Sequence, residues 1–251
     1  CALPILSPKF ILILSGKGGV GKTTVSASLS RCLSSLNVHV GILDLDLTGP
    51  SIPTIFGAQE AKIQNRNGRM IPYKIPNYNI EIVSLGLMLN NQNDAIIWRG
   101  PKKNRMIQSF FNLIQWESDY VIIDMPPGTS DEHLSTMEIL KSSGIDFQTL
   151  IITTPNILSI ADVRKEISLC WKIGIDVNGI VENFSGIVCP CCSELTQFNQ
   201  NEDLVEKLSK ETNIPVLSKI PFLPQASLPV SIENESQVIL PYFKPIDRKS
   251  V

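Results

Sequence analysis

With 251 residues, 43% of them hydrophobic, the chain can bury one sizeable α/β core, and its length argues against two independent domains. A net charge of −2 with no Lys/Arg-rich block gives no footing for phosphate neutralisation, so no nucleic-acid partner is expected. No stretch reaches the length of a membrane span, and Phe10 to Leu14 is too short for a signal-peptide core. These features point to an intracellular protein with no membrane partner.

The first apolar run, Phe10 to Leu14, reads as a strand. It leads into Gly16-Lys17-Gly18-Gly19-Val20-Gly21-Lys22-Thr23-Thr24, which satisfies G-x-x-x-x-G-K-[ST] in the strand-then-helix setting that this phosphate-binding loop requires. Backbone N–H groups close around a triphosphate only where side chains leave room, which Gly16, Gly18, Gly19 and Gly21 provide. Lys22 would bridge the β- and γ-phosphates, the Thr23 hydroxyl would hold Mg²⁺, and the following helix would point its positive end at the anion. A glycine-rich turn without nucleotide is the competing reading. Lys17 stands where an ordinary loop of this kind needs no charge. It matches the signature lysine of the deviant Walker A class, against the alternative of a solvated lysine beside an anion site. In that class the extra lysine reaches the neighbour's phosphates across a dimer interface.

Val25, Leu29, Cys32, Leu33 and Leu36 share a helical face, and Val38 to Leu43 reads as the second strand. Asp44 and Asp46 follow it. Alternation along an extended segment would turn both toward one metal-phosphate centre, with Asp46 the candidate to orient the attacking water; a turn or helix cap is the alternative. Residues 58–78 carry Asn67-Gly68, Pro72 and Pro76 and read as a surface excursion or small hairpin. Further strands are expected at Ile80 to Leu85, Tyr120 to Ile123, Thr149 to Thr153, Val177 to Val181 and Val216 to Ile220. Helical stripes fall on Met106, Ile107, Phe110, Phe111 and Ile114, and on Ile160, Val163, Ile167 and Cys170. Strands alternating with helices specify an α/β fold with a mostly parallel sheet flanked by helices.

Asp124 closes the run Tyr120 to Ile123, where a carboxylate at the carboxyl edge of a parallel sheet can hold a Mg²⁺-bound water. Gly128, in Pro126-Pro127-Gly128-Thr129, could bring its N–H to the γ-phosphate and respond to its loss; a plain turn is the alternative. Thr129 and Glu132 have capping-box spacing. His39 and His133 lack a ligand cluster and read as surface or packing residues.

Of six cysteines, three fall in Cys189-Pro190-Cys191-Cys192, which is no disulfide framework. Cys189 and Cys192 make a C-x-x-C pair. Two thiolates are half a coordination sphere, since tetrahedral zinc and the common iron-sulfur clusters take four, so a site shared by two chains is favoured. A cluster, zinc and a redox pair all stay open. Cys191 sits too close to Cys189 for the usual bite.

Together the loop at 14–23, Asp46-Leu47-Thr48-Gly49-Pro50-Ser51, Trp98-Arg99-Gly100-Pro101-Lys102-Lys103, Asp124 to His133 and Cys189 to Cys192 resemble the Mrp/NBP family of P-loop ATPases, which are iron-sulfur scaffold or carrier proteins. The resemblance spans about residues 10–198. It implies a SIMIBI-like single P-loop NTPase domain over 1–251, with a nucleotide-binding core at 9–183, a cluster-binding loop at 184–200 and an irregular tail at 221–251. It also implies ATP, Mg²⁺ and slow hydrolysis, with Lys17, Lys22, Asp46 and Asp124 as the catalytic set. A [4Fe-4S] cluster would be bridged by Cys189 and Cys192 of two subunits and delivered to apoproteins in the cytoplasm. Asn183 would contact the adenine, with a strand-end cap as the alternative, and Pro221 would lie on the adenine side. The match is closest to the family's shorter cytosolic subunit, acting as a homodimer or as a heterotetramer with the longer NBP-type subunit; the chain opens on Cys1 instead of Met, which keeps that longer subunit in play. Two departures stand out. Phe198 to Glu202 replaces a Gly-rich segment, and Leu223 replaces the carboxylate of a Pro-x-Asp-Pro turn. The rival function is a ParA/MinD-type partitioning ATPase, which needs a membrane-binding helix or a basic DNA-binding face, neither visible here. A nitrogenase-like reductase would use two well-separated cysteines per chain.

Overall fold

A computed structural model describes residues 8–46, 51–88, 100–189, 191–192, 194–197 and 203–222. In chain order the elements are β1 (Lys9–Leu14), α1 (Lys22–Ser35), β2 (Val40–Asp44), α2 (Ile52–Ile55), β3 (Gln64–Arg66), β4 (Arg69–Ile71), β5 (Tyr73–Lys74), β6 (Ile80–Ser84), α3 (Gly100–Leu113), β7 (Tyr120–Asp124), α4 (Asp131–Ser142), β8 (Phe147–Thr153), α5 (Ile157–Ile173), β9 (Gly179–Val188), β10 (Leu195–Gln197), α6 (Leu204–Thr212) and β11 (Val216–Phe222). A 3-10 turn, Leu85–Leu87, follows β6.

Among the described residues, nine strands form the main sheet in the order β10-β9-β8-β1-β7-β2-β6-β5, with β11 also on β9. All pairings are parallel except β5 with β6 and β10 with β9. Strands covered on both faces must be apolar on both, and β1 shows how this works. Phe10, Leu12 and Leu14 face Ile107 and Phe110 of α3, Met137 and Leu140 of α4, and Ile160 and Val163 of α5. Ile11 and Ile13 face Val25, Leu29 and Leu33 of α1.

β7 lies between β1 and β2, so the chain leaves β1, crosses over α1 and enters the sheet two places away. Such a crossing opens a crevice at the carboxyl ends of the strands, where ligands of parallel sheets bind. The register sets Ile13 beside Asp124 and Asp44 beside Asp124. Backbone pairing alone therefore collects the loop after β1 and two carboxylates at one edge.

Several expected elements differ. β9 runs on from Gly179 to Val188 instead of ending at Val181, so Asn183 lies inside a strand and the expected 183/184 boundary cuts it. Buried Glu182 and Asn183 interrupt the apolar run, which hides the strand from periodicity. Pro221 and Phe222 belong to β11 and not to the irregular tail; β11 is an edge strand, where a residue without N–H is tolerated. α4 and α6 had no expected stripe. The hairpin in 58–78 is β3 and β4 around Asn67-Gly68, both at positive φ. The rest of the tail, Thr48 to Pro50, Trp98 and Arg99, Pro190, Phe198 to Glu202 and Leu223 lie outside the described residues.

Candidate functional site: a phosphate loop joined to a cysteine hairpin

Gly16 is forced by a neighbour: a Cβ there would stand 2.6 Å from the backbone carbon of Asp162 on α5. Gly21 sits at φ 80, where L side chains are strained, and a Cβ would collide with the Asn183 amide. Between them lie Lys17, half-buried, and exposed Gly18 and Gly19, followed by buried Val20. α1 starts at Lys22, so Lys22, Thr23 and Thr24 form its first turn and the unpaired N–H groups of the helix point into the loop.

Asp124 organises the centre. Lys22 Nζ donates to its Oδ1 at 2.7 Å, Thr23 Oγ1 to its Oδ2 at 2.7 Å, and Ser26 Oγ to its Oδ1 at 2.8 Å. Asp124 is fully buried and Lys22 only 6% exposed. A buried carboxylate at this depth requires such partners. Ser26 was missed by sequence reasoning; its signal is the spacing of one helical turn from Lys22 on the same face.

Asp44 is the second carboxylate. Burial first, then the adjacent Asp124, pushes it up to about 7, against the Asp46 N–H, the Ser84 hydroxyl and Lys22. Ser84 Oγ donates to Asp44 Oδ2 at 3.0 Å and the Asp46 N–H to Asp44 Oδ1 at 3.1 Å. Because β2 stops at Asp44 and the backbone folds back onto that carboxylate, strand alternation does not carry through to Asp46. Asp46 is half-buried where Asp44 is buried, and it is Asp44 that stands in register with Asp124.

The Gly128 N–H donates to the Ser15 carbonyl at 2.9 Å, tying the loop after β7 to the loop after β1. The capping box of α4 uses Ser130 and His133, one residue on from the expected Thr129 and Glu132. His133 is fully buried, and burial pushes it down to about 4. Its Nε2 lies 4.0 Å from Oε1 of Glu166 on α5, whose carboxyl burial pushes up to about 8. Neither Glu166 oxygen has a hydrogen-bond partner among the described residues. Nothing in the sequence marked this pair, because the contact joins two helices.

At the sheet margin, Asn183 Nδ2 donates to the Val20 carbonyl at 2.9 Å, and Pro221 lies in β11 next to Ile220, the register partner of Asn183. β9 then pairs with β10, and the Cys189 N–H donates to the Glu194 carbonyl at 2.9 Å, closing the cysteine hairpin. Cys191 and Cys192 are exposed and Cys189 half-buried, whereas Cys32 and Cys170 are buried. The Cys189 thiol is held below its ordinary value by the backbone N–H groups of Cys192 and Cys191. Around the hairpin Ile187, Leu195 and Phe222 are 46%, 47% and 46% exposed.

Hard oxygen donors at Thr23, Asp124 and Asp44 suit Mg²⁺ completed by phosphate oxygens and water. No group of three or more His, Cys, Asp or Glu side chains fit to hold a metal occurs among the described residues. Nor is any described helix long and apolar enough to cross a membrane.

Comparisons with known proteins agree with this geometry. The "Cytosolic Fe-S cluster assembly factor Nubp2 homolog" of Aedes aegypti is 46% identical over 217 residues, 86% of this chain and 83% of its own. The "Cytosolic Fe-S cluster assembly factor CFD1" of Chaetomium globosum is 45% identical over 226 residues, covering 86% and 74%. A nucleotide-binding protein of Archaeoglobus fulgidus, solved in complex with ADP, superposes with a TM-score of 0.73 at 32% identity over 92% of this chain and 87% of its own. The septum site-determining protein MinD of Pyrococcus horikoshii, at 21% identity and a TM-score of 0.68 over 97% and 98%, shares the fold alone. With residues 7–241 matching the description "NUBPL iron-transfer P-loop NTPase", the chain belongs to that family of nucleotide-binding proteins.

Proposed function

We propose that this chain is an ATP-dependent scaffold that holds a [4Fe-4S] cluster between two subunits and passes it to apoproteins in cytosolic iron-sulfur protein assembly. The observation that carries the proposal is the hairpin of half-buried Cys189 and exposed Cys192, which directly follows the strand that bonds to the phosphate loop. Two ligands per chain complete a four-thiolate set only when two chains meet. The apolar rim of Ile187, Leu195 and Phe222 supplies surface for that meeting. The partner is a second copy or a longer homologous subunit; the cytosolic setting follows the names of the relatives.

Residue roles follow from position. Gly16, Lys17, Gly18, Gly19, Val20, Gly21, Lys22, Thr23 and Thr24 bind the phosphates, Lys17 reaching toward the partner's nucleotide. Thr23 and Asp124 would hold Mg²⁺, which would supply charge neutralisation to the bound triphosphate. Lys22, paired with Asp124 here, turns to the phosphates, and Gly128 exchanges the Ser15 carbonyl for the γ-phosphate. Asp46 orients the water, with Asp44 holding the Asp46 backbone through the bond at 3.1 Å. Asn183 and Pro221 border the base. In this reading 1–251 acts as one domain, 9–183 holding nucleotide and 184–200 holding the cluster.

Anaerobic reconstitution with iron and sulfide tests the reading. The expected result is about four iron per pair of chains, lost when Cys189 and Cys192 are both changed to alanine, with ATP affinity retained. Full iron retention in that double variant rules the site out. Single-turnover hydrolysis of ATP, abolished in Asp46→Asn, tests the ATPase assignment.

A further inference from the structure

β9 is one strand with two allegiances. Its first part, Gly179 to Glu182, pairs in parallel with β8; its last part, Gly186 to Val188, pairs antiparallel with β10 and leads directly into Cys189. Between them the strand bends. On the β11 side Ile220 pairs with Asn183, yet the next pair is Phe222 with Ile187, so β9 uses more residues than β11 over the same step. Bulges of this kind redirect side chains and recur beside active sites. Phe184 sits in the bend at φ 55, a left-handed conformation that is strained for a bulky residue and persists only where surroundings impose it.

The surroundings here are the phosphate loop on one side and the hairpin on the other. Asn183 bonds to the Val20 carbonyl. The tip of the Phe184 ring lies 3.3 Å from where a Cβ of Gly21 would be. The same ring meets Phe222 at a centroid distance of 5.8 Å and an interplanar angle of 53°. Phe222 in turn is the register partner of Ile187, two residues before Cys189. Contact is thus continuous from Val20 and Gly21 through Asn183, Phe184 and Phe222 to the base of the hairpin.

We propose that the bend at Asn183–Phe184 couples the phosphate loop to the cysteine hairpin, with Phe184 as the positioning residue that converts a shift of Gly21 into a rotation of the paired segments 186–189 and 194–197. The segment before the bend is clamped between β8 and β11, so displacement travels outward toward Cys189. What the coupling is for rests on the scaffold reading above; that it exists does not.

Backbone hydrogen exchange of residues 186–197 in the cluster-free full chain, with and without saturating ATP and Mg²⁺, tests it. In the unaltered chain nucleotide changes exchange in this segment by about fivefold, as local opening equilibria allow. Phe184→Gly relieves the strained φ, removes the ring and abolishes the response; Phe184→Leu, keeping bulk, retains most of it. Phe222→Ala, at an exposed position that does not threaten folding, reduces the response at least by half and decides the matter if Phe184→Gly is unstable. An unchanged response in Phe184→Gly or, where that variant fails to fold, in Phe222→Ala overturns the proposal, as does no response in the unaltered chain. A chain that responds but holds no iron on reconstitution retains the coupling and loses the scaffold reading; one that holds iron without responding does the reverse.

Discussion

The two ends of β9 are built on opposite principles. At the phosphate loop Lys22, Asp124 and Asp44 are buried and answered inside the chain: Lys22, Thr23 and Ser26 converge on Asp124, and Ser84 and the Asp46 N–H converge on Asp44. At the hairpin the thiols of Cys191 and Cys192 face outward, with no ligand set completed among the described residues. A closed polar network in a low-dielectric interior holds its geometry before any ligand arrives. The contrast is between a polar centre that the chain holds together by itself and thiols that it presents at its surface.

The sharpest way to break this contrast is to open the closed network. Lys22→Ala leaves Asp124 buried without its cation, so the nucleotide-free chain should lose about 3 kcal/mol of stability in denaturant titration, the range for splitting a buried pair. Nucleotide retention should disappear with it. Adding Asp124→Asn should restore much of the stability and none of the binding. If Lys22→Ala is as stable as the unaltered chain, the network is not closed and Asp124 does not depend on Lys22.

Gly21→Ala probes the junction between the two ends. At φ 80 the new Cβ is strained and also meets the Asn183 amide, so a loss of about 2 kcal/mol is expected. Combined with Asn183→Ala, part of that cost should vanish, since the collision with the amide is removed while the φ penalty and the close approach of the Phe184 ring stay. Strict additivity of the two substitutions would show that the loop and β9 are independent.

How much of this was legible in the chain follows from range. The β1 strand, the glycine loop, Lys22 and Asp124 were all readable, because each is announced by neighbours within a few residues: an apolar run, a glycine spacing, a strand end. Parallel pairing then placed them together. Asp46 illustrates the limit. Alternation predicted that it shares a side with Asp44, but alternation holds only while the chain stays extended, and the strand ends at Asp44. β9 was cut short for the converse reason: its polar Glu182 and Asn183 look like a strand end, yet they are buried by β8, β11 and the phosphate loop. His133 and Glu166 were invisible because nothing local relates residues on two separate helices.

The smallest expected effect concerns that last pair, a buried site that lacks the answering partners of Asp124. Glu166 titrates at about 8 in the folded chain against 4.5 when free, so over that interval the folded state holds a proton the unfolded state has released. Its contribution to stability is therefore complete below pH 4.5 and lost as pH rises through 8. His133 runs the other way: at about 4 folded against 6.5 free, its contribution is complete above pH 6.5 and lost as pH falls through 4. For this pair alone the two slopes oppose each other between pH 4.5 and 6.5, with stability rising with pH just below that window and falling above it. Asp44, raised from 3.8 to about 7, has the same sign as Glu166, so it adds a decline across that window and up to neutrality. Glu166→Gln removes only the Glu166 share, so its melting temperature should fall less between pH 6.5 and 8 than that of the unaltered chain, by about 4 °C. Superimposable pH profiles would mean that Glu166 finds solvation or a partner at 0% exposure that its two orphaned oxygens do not show. A restored difference in Glu166→Asp would place the effect in the carboxyl group itself and not in the packing of α5 against α4.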